Sequence, residues 1–153
     1  MKDDVCKRDE FADGAVTGEY EGVDLEEALV LQRDGDDDHA IVRTNVPHLV
    51  VQHSPTGFEF GYAGSGPADL ALNVCQWYLN HIGYKGEKTE CFDGICWSLA
   101  FVLHQNFKRD FIANARREGT SIIAFGWMKE WLDQHITEEL KSNYAMTTEE
   151  EFE

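Results

Sequence analysis

The chain has 153 residues, 42% of them hydrophobic and 12% aromatic, which is enough for one domain with an aromatic core and excludes disorder of the whole chain. Its net charge of −16 is segregated: residues 1–39 hold fourteen Asp/Glu against four Lys/Arg, residues 137–153 six against one, and residues 40–136 nine against eight. Such ends repel phosphates and so argue against direct nucleic-acid binding; they serve either solubility or a basic protein surface.

The opening Met1-Lys2-Asp3-Asp4 is polar and unlike a signal peptide, and no run of about 18 apolar residues follows. A cytoplasmic protein without a membrane span is therefore expected, with Cys6, Cys75, Cys91 and Cys96 reduced. Residues 1–24 read as an acidic arm with a short strand near Val16–Tyr20. Ala28-Leu29-Val30-Leu31 is the heart of a strand over 25–32. The run from Arg33 to Asp38 carries the Asp-Gly turn signal, and Ala40–Thr44 is the next strand. Pro47 interrupts. His48–Gln52 is a third strand, Ser54-Pro55-Thr56-Gly57 a turn, and Phe58–Tyr62 alternates as a half-buried strand should.

The pattern then turns helical. Gly64-Ser65-Gly66 leads into a helix from Pro67 to about His81, whose wide apolar stripe (Leu70, Val74, Trp77, Tyr78) marks it as the central helix, ended by Gly83. Residues 84–91 read as a polar loop. A second helical region spans about Phe92–Arg117, bent near Asn106, with Leu99 and Leu103 in the core. Ser121–Ala124 is a strand or an entry turn, and a last helix covers about Phe125–Leu140. From Lys141 the tail is acidic and loosely ordered. Strands first and helices after define an α+β single domain: a small antiparallel sheet from the N-terminal half, packed by about three helices from the C-terminal half.

Several constellations invite a chemical reading. Gly64, Ser65 and Gly66 stand at a helix start, where free backbone N–H groups can hold an anion; the Walker ending and the third glycine of the dinucleotide fingerprint are both missing, so a tight structural turn is the simpler reading. Asp34, Asp36 and Asp38 have calcium-loop spacing, but His39 stands where that loop needs glycine and Asn45 where it needs an acid. Cys91 and Cys96 are spaced too widely for a zinc knuckle and have no second pair. No His-x-x-x-His pair exists among the six histidines, so no metal and no cofactor is expected. Lys108, Arg109, Arg116 and Arg117 recur at helical spacing and form the one basic patch.

The stretch from Gly57-Phe58-Glu59-Phe60-Gly61-Tyr62 through Ala63-Gly64-Ser65-Gly66-Pro67 to Leu72 resembles the hallmark of an uncharacterised domain family of phages, plasmids and other mobile elements. His104–Lys108 and Trp127–Leu132 are similar to it more weakly, and the likeness covers roughly residues 40–135. The resemblance carries no catalytic residue. It implies a small accessory protein of a mobile element, and such proteins often act by binding. The expectation is an interaction protein inhibiting a host defence complex of the CRISPR type. Its acidic surface would be Glu26, Glu27, Asp34, Asp36, Asp37 and Asp38, its partner a host protein or nucleoprotein complex with a basic surface. The competing class is a small-ligand or anion binder, or an enzyme, using the Gly64–Pro67 turn.

Overall fold

The computed structural model describes residues 16–35, 40–55 and 57–146. Strands β1 (Val16–Glu19), β2 (Ala28–Asp34), β3 (Ile41–Thr44) and β6 (Gly119–Ala124) form one sheet in the order β1-β3-β2-β6. A two-stranded ribbon of β4 (Lys88–Glu90) and β5 (Ile95–Trp97) stands apart from it. Helices α1 (Ser65–His81) and α2 (Ser98–Phe107) pack on each other; a π-helical turn (Lys108–Ile112) continues α2, and α3 (Phe125–His135) and α4 (Glu138–Asn143) close the chain. The class is α+β.

The apolar run Ala28–Leu31 is wholly buried because β2 is central, between β3 and β6. β2 is antiparallel to both, with Leu31 opposite Thr44 and Leu31 opposite Ser121. The sheet departs from the expected one in two ways. β6 comes from the C-terminal half and takes the free edge of β2. That leaves β1 the outer edge of β3, where it runs parallel, with Val16 opposite Ile41.

Two expected strands do not form, for one physical reason. Residues 48–52 contribute only a single bridge, Val51 to Asp93. Their backbone groups are met by side chains of α1: Asn73 Oδ1 accepts from Leu49 N (2.6 Å) and Val50 N (2.9 Å), and its Nδ2 donates to the Val50 carbonyl (2.9 Å). One turn earlier, the Asp69 carboxylate accepts from the amides of Gln52, His53 and Ser54. The segment Phe58–Tyr62 is irregular too. Thr17 Oγ1 both accepts from Phe58 N and donates to its carbonyl, and Phe58, Glu59 and Phe60 are all buried instead of alternating. Buried backbone polar groups must be paired, and a side chain with the right donors substitutes for a ladder.

Thirteen of the seventeen α1 residues are buried, so it is the central helix. Leu70, Val74, Leu99 and Leu103 are core; Trp77, expected with them, is only half-buried, packed at the rim of the cluster. The second helical region starts at Ser98, because β5 occupies the residues before it. It leaves α geometry just past Asn106, where the bend was expected. The last helix breaks at Ile136–Thr137, where Thr137 Oγ1 caps α4 by accepting from Leu140 N. The tail is docked at its start: the Tyr144 carbonyl accepts from Glu87 N (2.7 Å) and from Tyr84 Oη.

Candidate functional site

The loop from Tyr20 to Glu27 joins β1 to β2, and three of its acids, Glu21, Asp24 and Glu26, stand with Glu19 at the end of β1 around a groove of about 640 Å³. Tyr20, Pro47 and Trp77 form its apolar wall. Asn45 holds the loop in place: its Nδ2 donates to the carbonyls of Val23 (2.9 Å) and Ala28 (2.8 Å), and its Oδ1 accepts from Val30 N (3.0 Å). Leu25 anchors the same loop in the core. Trp77 is set by a stack on His81, ring centroids 4.9 Å apart, and an edge contact with Phe125. The result is a preorganised groove that combines negative charge with an indole, a combination suited to a cationic side chain.

The residues expected to form one acidic surface are not all together. Glu26 lines the groove, with His81 Nδ1 4.0 Å from its carboxylate. Glu27 is beside it but turns its Oε1 to the amide of Asp24. Asp34 lies at the other end of β2, paired with Arg43 (2.9 Å). At about 3.3 Å per residue, β2 puts about 20 Å between Asp34 and the loop that carries Glu26. Asp36, Asp37 and Asp38 lie outside the described residues, as does the arm before Val16. Glu19, Glu21 and Asp24 were not singled out from sequence, and Trp77 was expected only as a core residue. Their signal was an acid every two or three residues flanking Tyr20.

Gly64 is the N-cap of α1 in ordinary extended geometry, Ser65 is exposed, and Gly66 is buried. A Cβ on Gly66 would stand 2.6 Å from Glu59 Cβ, so the glycine is needed for close packing. Behind the turn lies the most buried ion pair of the described residues, Arg33 with Glu59. Arg33 Nε also donates to the Arg117 carbonyl (2.8 Å), its guanidinium lies over the Phe60 ring, and Glu59 Oε1 accepts from Phe60 N (2.9 Å). Glu59 Oε2 is buried without a partner among the described residues.

His53 and His104 meet Nε2 to Nε2 at 3.0 Å. His104 Nδ1 faces the Phe101 carbonyl at 2.5 Å and must donate to it. His104 Nε2 is therefore the acceptor and His53 Nε2 the donor. Burial, first of all, holds the His104 pKa below its ordinary value, and the neighbouring His53 adds to this. Cys91 and Cys96 bring their sulfurs to 3.2 Å across the β4–β5 ribbon; burial, then the Cys91 contact, pushes the Cys96 thiol up to about 12. Among the described residues no cluster of three or more His, Cys, Asp or Glu could hold a metal.

The basic residues do not share a helical face. Lys108 and Arg109 belong to the π turn, and the chain has left the helix by Arg116 and Arg117. Arg109 is engaged by Asp110 (2.8 Å), and Arg117 lies over the Tyr62 ring. No described helix is long and apolar enough to cross a membrane.

A family of unknown function (DUF6166) matches residues 20–93, which run from the acidic loop through β2, β3, the Gly57–Leu72 stretch and α1 to the β4–β5 turn. The chain is similar to that family over this part. Neither the curated proteins nor the solved structures give a match.

Proposed function

We propose that this chain works by binding a basic partner protein, with the acidic loop groove as its contact. The observation that carries this reading is the placement of Glu19, at the end of β1, and of Glu21, Asp24 and Glu26, on the loop that Asn45 fixes, around Trp77 and Tyr20. A Lys or Arg side chain of the partner would lay its stem on the indole and its charge among the carboxylates. Charge complementarity of this kind chiefly raises the association rate. The wider reading is an accessory protein of a phage or other mobile element, acting in the host cytoplasm to inhibit a defence complex of the CRISPR type by occupying a basic channel.

The test is affinity capture from a host extract with the unaltered chain and with Glu21→Lys/Asp24→Lys. A stoichiometric basic partner held by the first and lost by the second, at equal thermal stability, is the expected result. A partner held equally by both rules out the groove. A nucleotide or other small anion retained instead, and lost in Ser65→Ala, would favour the helix-start turn.

A further inference from the structure

Cys91 and Cys96 meet at the turn end of the β4–β5 ribbon, with their sulfurs 3.2 Å apart. The register puts Thr89 opposite Cys96 and Glu90 opposite Ile95. Cys91 N, donating to the Gly94 carbonyl (2.9 Å), carries the ladder one step further around Phe92 and Asp93. The two cysteines are therefore diagonal neighbours on one face of the ribbon. At Gly94 φ is +104°, a left-handed conformation that lets the chain turn back this tightly. The turn is also held from outside. Val51 and Asp93 exchange both backbone hydrogen bonds (2.9 Å each), and Gln52 Oε1 accepts from Phe92 N (2.8 Å). Backbone on both sides thus keeps the two sulfurs facing each other.

The two thiols differ in access. Cys91 is half-buried and within reach of a reagent in solution, whereas Cys96 is buried. Among the described residues no group of three or more His, Cys, Asp or Glu includes them, so the pair offers sulfur–sulfur chemistry. A disulfide bond is about 2.05 Å long, and side-chain rotation supplies the remaining approach of about 1 Å. Cys75, wholly buried in α1, is shut off from solvent and serves as an internal control.

We propose that Cys91 and Cys96 are a reversible oxidation site, two thiols that close to a disulfide across the β4–β5 ribbon by exchange with a low-molecular-weight disulfide of the glutathione class. The Cys91 thiolate attacks one sulfur of that disulfide, forming a mixed disulfide and expelling one small thiolate. Cys96 then gives up its proton to solvent and attacks the Cys91 sulfur, expelling the second. Two electrons pass from the protein to the small disulfide, and the two protons end on the two thiols released. Burial holds the Cys96 pKa up, at about 12, so the second step relies on the sulfurs being in contact already. In a reducing compartment the pair rests as two thiols and closes only when the small-disulfide pool rises. Once closed, the bond braces the turn and its docking on residues 51–52.

The test exposes the folded full chain to oxidised glutathione, quenches free thiols by alkylation, and reads intact mass and peptide map. The chain should lose two hydrogen atoms, with Cys91 joined to Cys96 and Cys75 still free, and reduced glutathione should return both thiols. Cys96→Ser should stop at the mixed disulfide, with one glutathionyl group on Cys91. Cys91→Ser should leave Cys96 unmodified, because it is buried. Hydrogen exchange at the Val51 and Asp93 amides should slow in the oxidised chain. A wild type that stays reduced or accumulates the glutathionyl adduct overturns the proposal. So does a bond that joins Cys6 instead, a bond that reduced glutathione does not reopen, or Cys96 reacting equally well in Cys91→Ser. Exchange unchanged at Val51 and Asp93 overturns the bracing. Neither cysteine lines the acidic groove, so Glu21→Lys/Asp24→Lys should leave this chemistry as it is, and the two readings fail independently.

Discussion

Two buried polar contacts show what single residues contribute and how little of it the sequence discloses. The alternation Phe58-Glu59-Phe60 places Glu59 in solvent on a half-buried strand, yet it is buried and holds Arg33. Nothing local in the sequence pairs two residues so far apart. Breaking such a pair from one side strands a buried charge, at about 3–5 kcal/mol. Glu59→Ala should lose that much in denaturant melts, and the double variant Glu59→Ala/Arg33→Met much less than the sum of the two single changes. Equal additivity would mean the pair is not coupled. His104 gives a pH prediction. Its folded pKa is depressed, chiefly by burial, so the unfolded chain takes up the proton first. The stability it contributes is complete above the unfolded value, about 6.5, and is lost as pH falls through the folded value. Melting temperature should therefore drop on acidification from about pH 7 toward about pH 5, and His104→Gln should flatten that slope. An unchanged slope in the variant would place the titration elsewhere.

At the scale of elements, the helices were legible because their apolar residues recur with the right period, and α1 was found almost to its ends. β2 and β3 were legible from apolar runs bounded by turn residues, whereas β1, with one apolar residue in Val16–Glu19, was placed as a short strand without such a run. The segments 48–52 and 58–62 were misjudged because their composition suits a strand, while their hydrogen bonds go to Asp69, Asn73 and Thr17. A composition rule sees the backbone's preference and not the side chain that competes for it. Asn73→Ala should accordingly cost more than a surface helix substitution gains from alanine's propensity, about 1–3 kcal/mol for the orphaned amides of Leu49 and Val50. Hydrogen exchange at those two amides should rise with it; protection left intact would show another partner. Gly66→Ala should also destabilise, by about 1–3 kcal/mol of overpacking, since the added methyl meets Glu59. Gly64→Ala should be milder, because its obstacle is the outer edge of the Tyr62 ring.

Over the whole molecule, charge acts in two opposite senses, and salt separates them. The candidate groove was legible only in outline: the sequence displays the acidic N-terminal third, but which acids converge is decided by Asn45 and by Trp77 arriving from α1. Asp34, at the far end of β2, contributes to net charge without contributing to the groove. A body of net −16 repels itself, which opens the compact state. Raising ionic strength shortens the Debye length from about 30 Å at 0.01 M to about 8 Å at 0.15 M, and relieves that repulsion. The chain alone should therefore melt at a higher temperature in the saltier buffer. Association with a basic partner should respond the other way, weakening over the same interval chiefly through a slower on-rate. Scanning calorimetry and stopped-flow association in matched buffers give the two signs directly. Glu21→Lys/Asp24→Lys should reduce the salt dependence of association markedly, while Asp34→Asn, which removes a charge remote from the groove, should reduce it little. If Asp34→Asn matters as much as the groove pair, the partner responds to total charge and the groove has no special part in recognition.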